Sequence, residues 1–184
     1  MKKRLFIAID IPSKIKQKIV ALQNELKNTG FEAAWVKPEK MHLTLIFLGD
    51  TDYNQIPTII DSLKKLKDDA FEVTFAHING FPNLMRPHTL WIGVQENLGL
   101  FYLQQKIAQR LEKLNLRLDE KKFIPHITIA RLIQKKSIEE LSFKKEVGTF
   151  AAKEFILYES ELLPEGPKHT SIKKFILKNV QRSK

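Results

Sequence analysis

The chain has 184 residues, 31 Lys plus Arg against 21 Asp plus Glu for a formal charge of +10, and no cysteine. That length accommodates one compact unit or two small lobes on a shared core, not two large domains, and the lack of cysteine excludes disulfides and thiolate metal sites, which suits a reducing, cytoplasmic setting. A composition 43% hydrophobic and 28% charged is that of a globular chain rather than a disordered one. No run reaches the roughly 18 to 20 apolar residues of a membrane span, and Asp10 and Pro12 interrupt the N-terminal apolar stretch too early for a signal peptide. The positive excess favours anionic partners, nucleic acid and nucleotides among them. Yet 25 of the 31 cations are lysines, the usual make-up of a solvated face.

Residues 4 to 10 alternate and are rich in Phe and Ile, which predicts a strand, and Pro12-Ser13 opens a helix with Ile15, Ile19, Leu22 and Leu26 on one stripe, stopped by Asn28-Thr29-Gly30. A linker through Trp35 and Pro38 leads to an apolar strand from Met41 to Leu48, ended by Gly49-Asp50. Asp52 is placed to cap a second helix carrying Ile56, Ile59, Ile60, Leu63 and Leu66. Residues 71–78 alternate as a strand, broken at Gly80-Phe81-Pro82-Asn83. The order then starts over: a strand at 89–94, a helix with Leu100, Leu103, Ile107, Leu111 and Leu114 on its stripe, and a second apolar strand after Pro125. Ser137 and Glu140 have capping-box spacing for a short helix near 138–144. Strands at 150–159 and 171–177 follow, separated by a turn at Pro164-Glu165-Gly166-Pro167.

Leu5-Phe6-Ile7-Ala8 answers Leu90-Trp91-Ile92-Gly93 at an offset of 85, Gln17-Lys18-Ile19 answers Gln105-Lys106-Ile107 at 88, and His42 answers His126 at 84. Agreement within a few residues points to an internal duplication. The expected fold is α+β and bilobal: one domain over 1–184, with lobes of about 1–82 and 83–184, room for a strand exchange at the C-terminus, and two antiparallel sheets with outer helices facing each other across a central cleft.

His42-Leu43-Thr44-Leu45 and His126-Ile127-Thr128-Ile129 each set a histidine and a threonine two residues apart, hence on one face of a strand, with apolar residues on the other. A single histidine on such a strand is more often structural than catalytic. Two are different: with nine threonines in the chain, two of five histidines followed by Thr at the second position is a coincidence of roughly a few per cent. A cleft would bring the motifs together. Two imidazoles with pKa values near 6.5 can then act as base and acid in one step, and the hydroxyls of Thr44 and Thr128 and the guanidinium of Arg131 can hold an oxyanion such as a phosphate. Zinc catalysis ordinarily needs three protein ligands, and nucleophile-elbow, P-loop and dinucleotide motifs are absent. His77, His88 and His169 read as structural or exposed. Phe47, Trp91, Phe123 and Tyr158 read as core aromatics, and Trp35 as the better cleft-edge aromatic.

These residues, with Arg4-Leu5-Phe6-Ile7-Ala8-Ile9, Leu90-Trp91-Ile92-Gly93-Val94, Leu157-Tyr158-Glu159-Ser160 and Gly166-Pro167, resemble the two-histidine (2H) phosphoesterases. Within them, they resemble the bacterial and archaeal RNA 2′,3′-cyclic phosphodiesterases, also called 2′-5′ RNA ligases, over nearly the whole chain. The resemblance implies hydrolysis of an RNA 2′,3′-cyclic phosphate to a 2′-phosphate without metal or other cofactor, with 2′-5′ ligation as its reverse. It implies His42 as proton donor, His126 as proton acceptor, and Thr44, Thr128 and Arg131 as phosphate-binding residues. Partners are RNA or nucleotides ending in a cyclic phosphate, with no membrane and a monomeric chain. Ile46, expected on the face of Thr44, stands where some relatives carry lysine, and His169 where relatives often carry an aromatic. A module that binds phosphorylated RNA ends without turnover is the alternative from another class.

Overall fold

The computed structural model describes residues 1–118, 121–133, 137–138, 146–164 and 166–178. Within them run β1 (Lys2–Asp10), α1 (Ser13–Asn28), β2 (Ala33–Trp35), β3 (His42–Asp52), α2 (Ile56–Leu63), β4 (Phe71–Phe81), β5 (Thr89–Val94), α3 (Leu98–Glu112), β6 (His126–Leu132), β7 (Gly148–Ala152), β8 (Glu154–Leu163) and β9 (Gly166–Ile176). Two antiparallel sheets result, one in the order β3-β1-β8-β9 and the other β2-β6-β5-β4-β7. Each sheet draws strands from both halves of the chain: β4 pairs with β5, and β8 with β1.

Helix α1 buries Ile15, Ile19, Leu22 and Leu26, the stripe expected from their spacing. Helix α3 buries Leu100, Leu103, Ile107 and Leu111, and the Asn97 side chain accepts from the Leu100 amide at 2.9 Å to cap its start. One continuous core links these stripes to Leu5, Ile7, Leu43, Ile92 and Ile127 of the sheets. Each such Leu or Ile contributes about 1.5–3 kcal/mol over its exposed state. No helix among the described residues is long and apolar enough to cross a membrane.

Several local expectations change. Strand β1 is buried on both faces from Leu5 to Ile9 because it lies inside its sheet and its second face is covered as well. Strand β3 runs through Gly49, whose φ of +64° suits glycine, to Asp52 opposite Lys2. A 3₁₀ turn at Tyr53–Gln55 then separates Asp52 from α2, so Asp52 does not cap that helix. The apolar stretch expected as one strand over 150–159 is two, β7 and β8, which part at Lys153 into different sheets. Strand β9 begins at Gly166, five residues earlier than its apolar pattern indicates, since most of its residues are exposed. The helix expected near 138–144 lies, apart from Ile138, outside the described residues.

Candidate active site

The two motifs lie on β3 and β6, strands that adjoin where the sheets meet. In β3, Thr44 pairs with Ala8 and Ile46 with Ile7, leaving Leu45 as an extra residue; in β6, Thr128 pairs with Trp91 and Ala130 with Leu90, leaving Ile129 extra. The same bulge therefore occurs twice, 84 residues apart. A bulge shifts the alternation of faces by one. In β6 it turns Arg131 onto the face of His126 and Thr128, where strict alternation would place it behind. In β3 it turns Ile46 into the core, 6% exposed, and sets Phe47, 56% exposed, beside Thr44. Ile46 thus does not share the face of Thr44, contrary to expectation; Phe47 is the counterpart of Arg131.

The bulge of β6 is pinned from outside the strand. The Ile129 carbonyl accepts from the Val36 amide at 3.0 Å and from Gln23 Nε2 at 2.8 Å, and the same Gln23 nitrogen donates to the Val36 carbonyl at 2.9 Å. Gln23 is 3% exposed, a polar residue on the core stripe of α1 whose amide nitrogen is used up in this way.

Both histidines are held alike. The His42 Nδ1–H donates to the Lys40 carbonyl at 2.8 Å, and the His126 Nδ1–H to the Ile124 carbonyl at 2.7 Å. A carbonyl only accepts, so Nδ1 carries the proton and Nε2 is left to exchange one. Burial pushes His42 down to about 4, helped by His169 and Lys16 and opposed by the Lys40 carbonyl and Asp10. Burial likewise lowers His126, against its bond to Ile124. In the unliganded protein both imidazoles are thus mainly neutral at pH 7, rather than of mixed protonation, because the strands hold them out of water. A phosphate in the cleft would favour the charged form, bringing a proton to the site with the anion.

Each histidine rests on an aromatic at equivalent positions of β1 and β5. Phe6 lies 4.9 Å from His42 and stacks on Tyr158 at 5.1 Å, and Trp91 lies 5.5 Å from His126 and stacks on Phe81 at 4.9 Å. Two further histidines, read from sequence as structural or exposed, also face the site. His169 meets the His42 ring at 86° and 5.2 Å, and its Nδ1 is buried with no hydrogen-bond partner. The His77 ring covers Gly93, which pairs with His126; a Cβ there would lie 2.1 Å from His77 Nε2. His77 sits at a bulge of β4 with φ of +50°, a conformation no periodic pattern announces. Trp35, expected at the cleft edge, instead packs against the core with Lys27 Nζ 5.5 Å over its ring.

Between the strands and α3 lies a cleft of about 630 Å³ whose lining includes both Thr44 and His126, joined by Phe47, Phe123, Lys122 and Gln104. The side chains of Thr44, Thr128 and Arg131 make no hydrogen bond or ion pair among the described residues, which leaves two hydroxyls and a guanidinium for a ligand. Among the described residues no three His, Asp or Glu side chains converge as metal ligands. Of the expected site residues only Thr44 and His126 belong to the lining of this cleft; His42, Thr128 and Arg131 join them through the faces of the two adjoining strands rather than through the cleft wall. Imidazoles, hydroxyls and a guanidinium on adjoining strands suit proton transfer about an oxyanion.

The profile of a family described as LigT like Phosphoesterase matches residues 9–91 and again 92–169, in keeping with the duplicated motif. An RNA 2′,3′-cyclic phosphodiesterase of Thermotoga maritima is 35% identical over 172 residues, covering 89% of this chain and 90% of that protein. One of Archaeoglobus fulgidus is 31% identical over 176 residues, covering 94% and 99%. The crystal structure of TT0787 of Thermus thermophilus superposes with a TM-score of 0.83 at 26% identity, covering 97% of this chain and all of that one. With the profile matched in both halves and relatives aligned over nearly their full lengths, the chain belongs to the LigT-like branch of the two-histidine phosphoesterases.

Proposed function

We propose that the protein is an RNA 2′,3′-cyclic phosphodiesterase in which His42 is the proton donor and His126 the proton acceptor. The observation that carries this reading is the pair of imidazoles held identically, Nδ1 to the carbonyl two residues back, on equivalent bulged strands. The cyclic phosphate enters as a monoanion, gripped by Thr44, Thr128 and Arg131, and its charge raises the pKa of His42 so that Nε2 takes up a proton. His126 Nε2 removes a proton from water, the water oxygen bonds to phosphorus, and the P–O3′ bond breaks. His42 Nε2–H passes its proton to the departing O3′. The products are a 2′-phosphate and a free 3′-hydroxyl, and the two histidines have exchanged protonation states. Proton exchange with solvent resets them. With the 5′-hydroxyl of a second RNA in place of water, the same groups join RNA ends through a 2′-5′ bond. All of these groups come from one chain.

Turnover of a 2′,3′-cyclic nucleotide in the presence of chelator tests the reading. General acid–base catalysis contributes about 10²- to 10⁴-fold, or roughly 3 to 5 kcal/mol of barrier, so His42→Ala and His126→Ala should each lose at least that factor in kcat. Retention of wild-type turnover in both variants would refute the assigned roles.

A further inference from the structure

We propose that Lys40 and His169 form a second anion subsite, which holds the phosphate on the 5′ side of the terminal nucleotide and so reads the end of an RNA chain rather than a lone nucleotide. The inference rests on the phosphodiesterase reading for the orientation of its ligand. In-line displacement sets the entering and departing oxygens on opposite sides of phosphorus. With water at His126 and O3′ at His42, the ribose that keeps O3′ lies on the His42 side. Its C5′ carries the rest of the chain, whose next phosphate therefore falls on that same side, one ribose away.

The fold brings an arm of the first sheet to this side. Strand β8 pairs with β1 only as far as Glu159, yet β8 and β9 go on pairing to Leu163 and Gly166, so the two form a ribbon beyond the sheet. An isolated two-stranded ribbon is marginally stable, and this one returns to the start of β3 at two points. The His169 ring meets that of His42 at 5.2 Å. Lys40 Nζ lies 3.1 Å from the place a Cβ would take on Gly166, whose φ of +105° suits glycine. The residue whose carbonyl fixes His42 thus also sends its side chain to the ribbon.

The charge at this corner is uncompensated. Lys16, also near His42, is tied to Asp10 at 2.8 Å, and the same carboxylate oxygen accepts from the Ile11 amide. The Lys40 ammonium has no ion pair or hydrogen bond among the described residues, and neither ring nitrogen of His169 has a hydrogen-bond partner there. Nδ1 is the buried one, which leaves Nε2 to meet a ligand. Burial and then Lys40 hold the pKa of His169 below the ordinary histidine value, as expected of a cation facing an imidazole with no anion between them. A phosphate seated between the two would reverse that repulsion and accept from both. The positive excess of the whole chain draws such a ligand in without deciding where it binds; this pair supplies the place.

Calorimetry with adenosine 2′-monophosphate and adenosine 2′,5′-bisphosphate tests the subsite, since the two ligands differ only in the 5′-phosphate. Their affinity ratio, taken within one protein, is insensitive to any disturbance of His42. Wild type should favour the bisphosphate by about 10-fold or more, the contribution of one charge-assisted hydrogen bond. Lys40→Met and His169→Phe should each lower that ratio severalfold, and Lys40→Arg should preserve it. Lys37→Met, which removes the same charge from an exposed position nearby, should leave it as in wild type. A wild-type ratio near one, a ratio unmoved by Lys40→Met or by His169→Phe, or an equal loss in Lys37→Met would overturn the inference. Turnover is read separately: a wild type that shows the Lys40-dependent ratio but hydrolyses no cyclic phosphate would sink the phosphodiesterase reading and leave the subsite standing.

Discussion

The proton-donor role proposed for His42 has to be reconciled with a pKa held at about 4, first by burial and then by His169. The His169 contribution is separable. Replacing His169 with Gln removes a neighbouring charge but leaves His42 buried, so the His42 midpoint in an NMR titration should rise toward 6.5 without reaching it; an unchanged or lower midpoint would show that His169 does not act on it. The same depression has a cost for folding at acid pH. The unfolded chain binds this proton near pH 6.5 and the folded one only near 4, so stability from keeping His42 neutral is complete above 6.5 and is lost as the pH falls toward 4. The most that can be lost is about 3 kcal/mol, and denaturant midpoints between pH 7 and 4 should fall less in His42→Phe than in wild type.

At the level of elements, the two bulged strands do most of the positioning. The pairing of His42 with Thr44 and of His126 with Thr128 on one face was legible in the sequence, because a spacing of two needs only regular alternation. The place of Arg131 was not readable from alternation, since an odd spacing brings a residue to that face only across a bulge, and the bulge depends on strand pairing rather than local pattern. Ile46 and Phe47 were misread for the same reason. Gln23 left a faint signal: a polar residue inside an otherwise apolar helical stripe. Its amide bridges Val36 and Ile129, so Gln23→Leu removes the donor and strands two acceptors, one of which keeps its bond from the Val36 amide. Unfolding in urea should show a loss of about 1–3 kcal/mol, together with weaker phosphate binding if the bulge relaxes and Arg131 turns away; an unchanged midpoint would mean that the bulge holds itself.

For the molecule as a whole, the repeat was visible as matching offsets, but not the way in which the halves interleave. Strand β4 of the first half completes the sheet containing β5 and β6, and β8 and β9 complete the one containing β1 and β3. Both sheets therefore depend on the entire chain, which holds the two histidine strands in one frame. Residues such as His169 became part of the site through this exchange, because β9 reaches His42 only by joining the sheet of the first half. Sequence distance concealed that contact, and the polar exposed pattern at the start of β9 concealed its first five residues, His169 among them. The central claim, that His42 and His126 divide the two proton transfers of cyclic phosphate hydrolysis, is tested most directly by product analysis on an RNA ending in a 2′,3′-cyclic phosphate. Wild type should yield only the 2′-phosphate, with His42→Ala and His126→Ala yielding almost none; a 3′-phosphate product, or undiminished product from either variant, would contradict it.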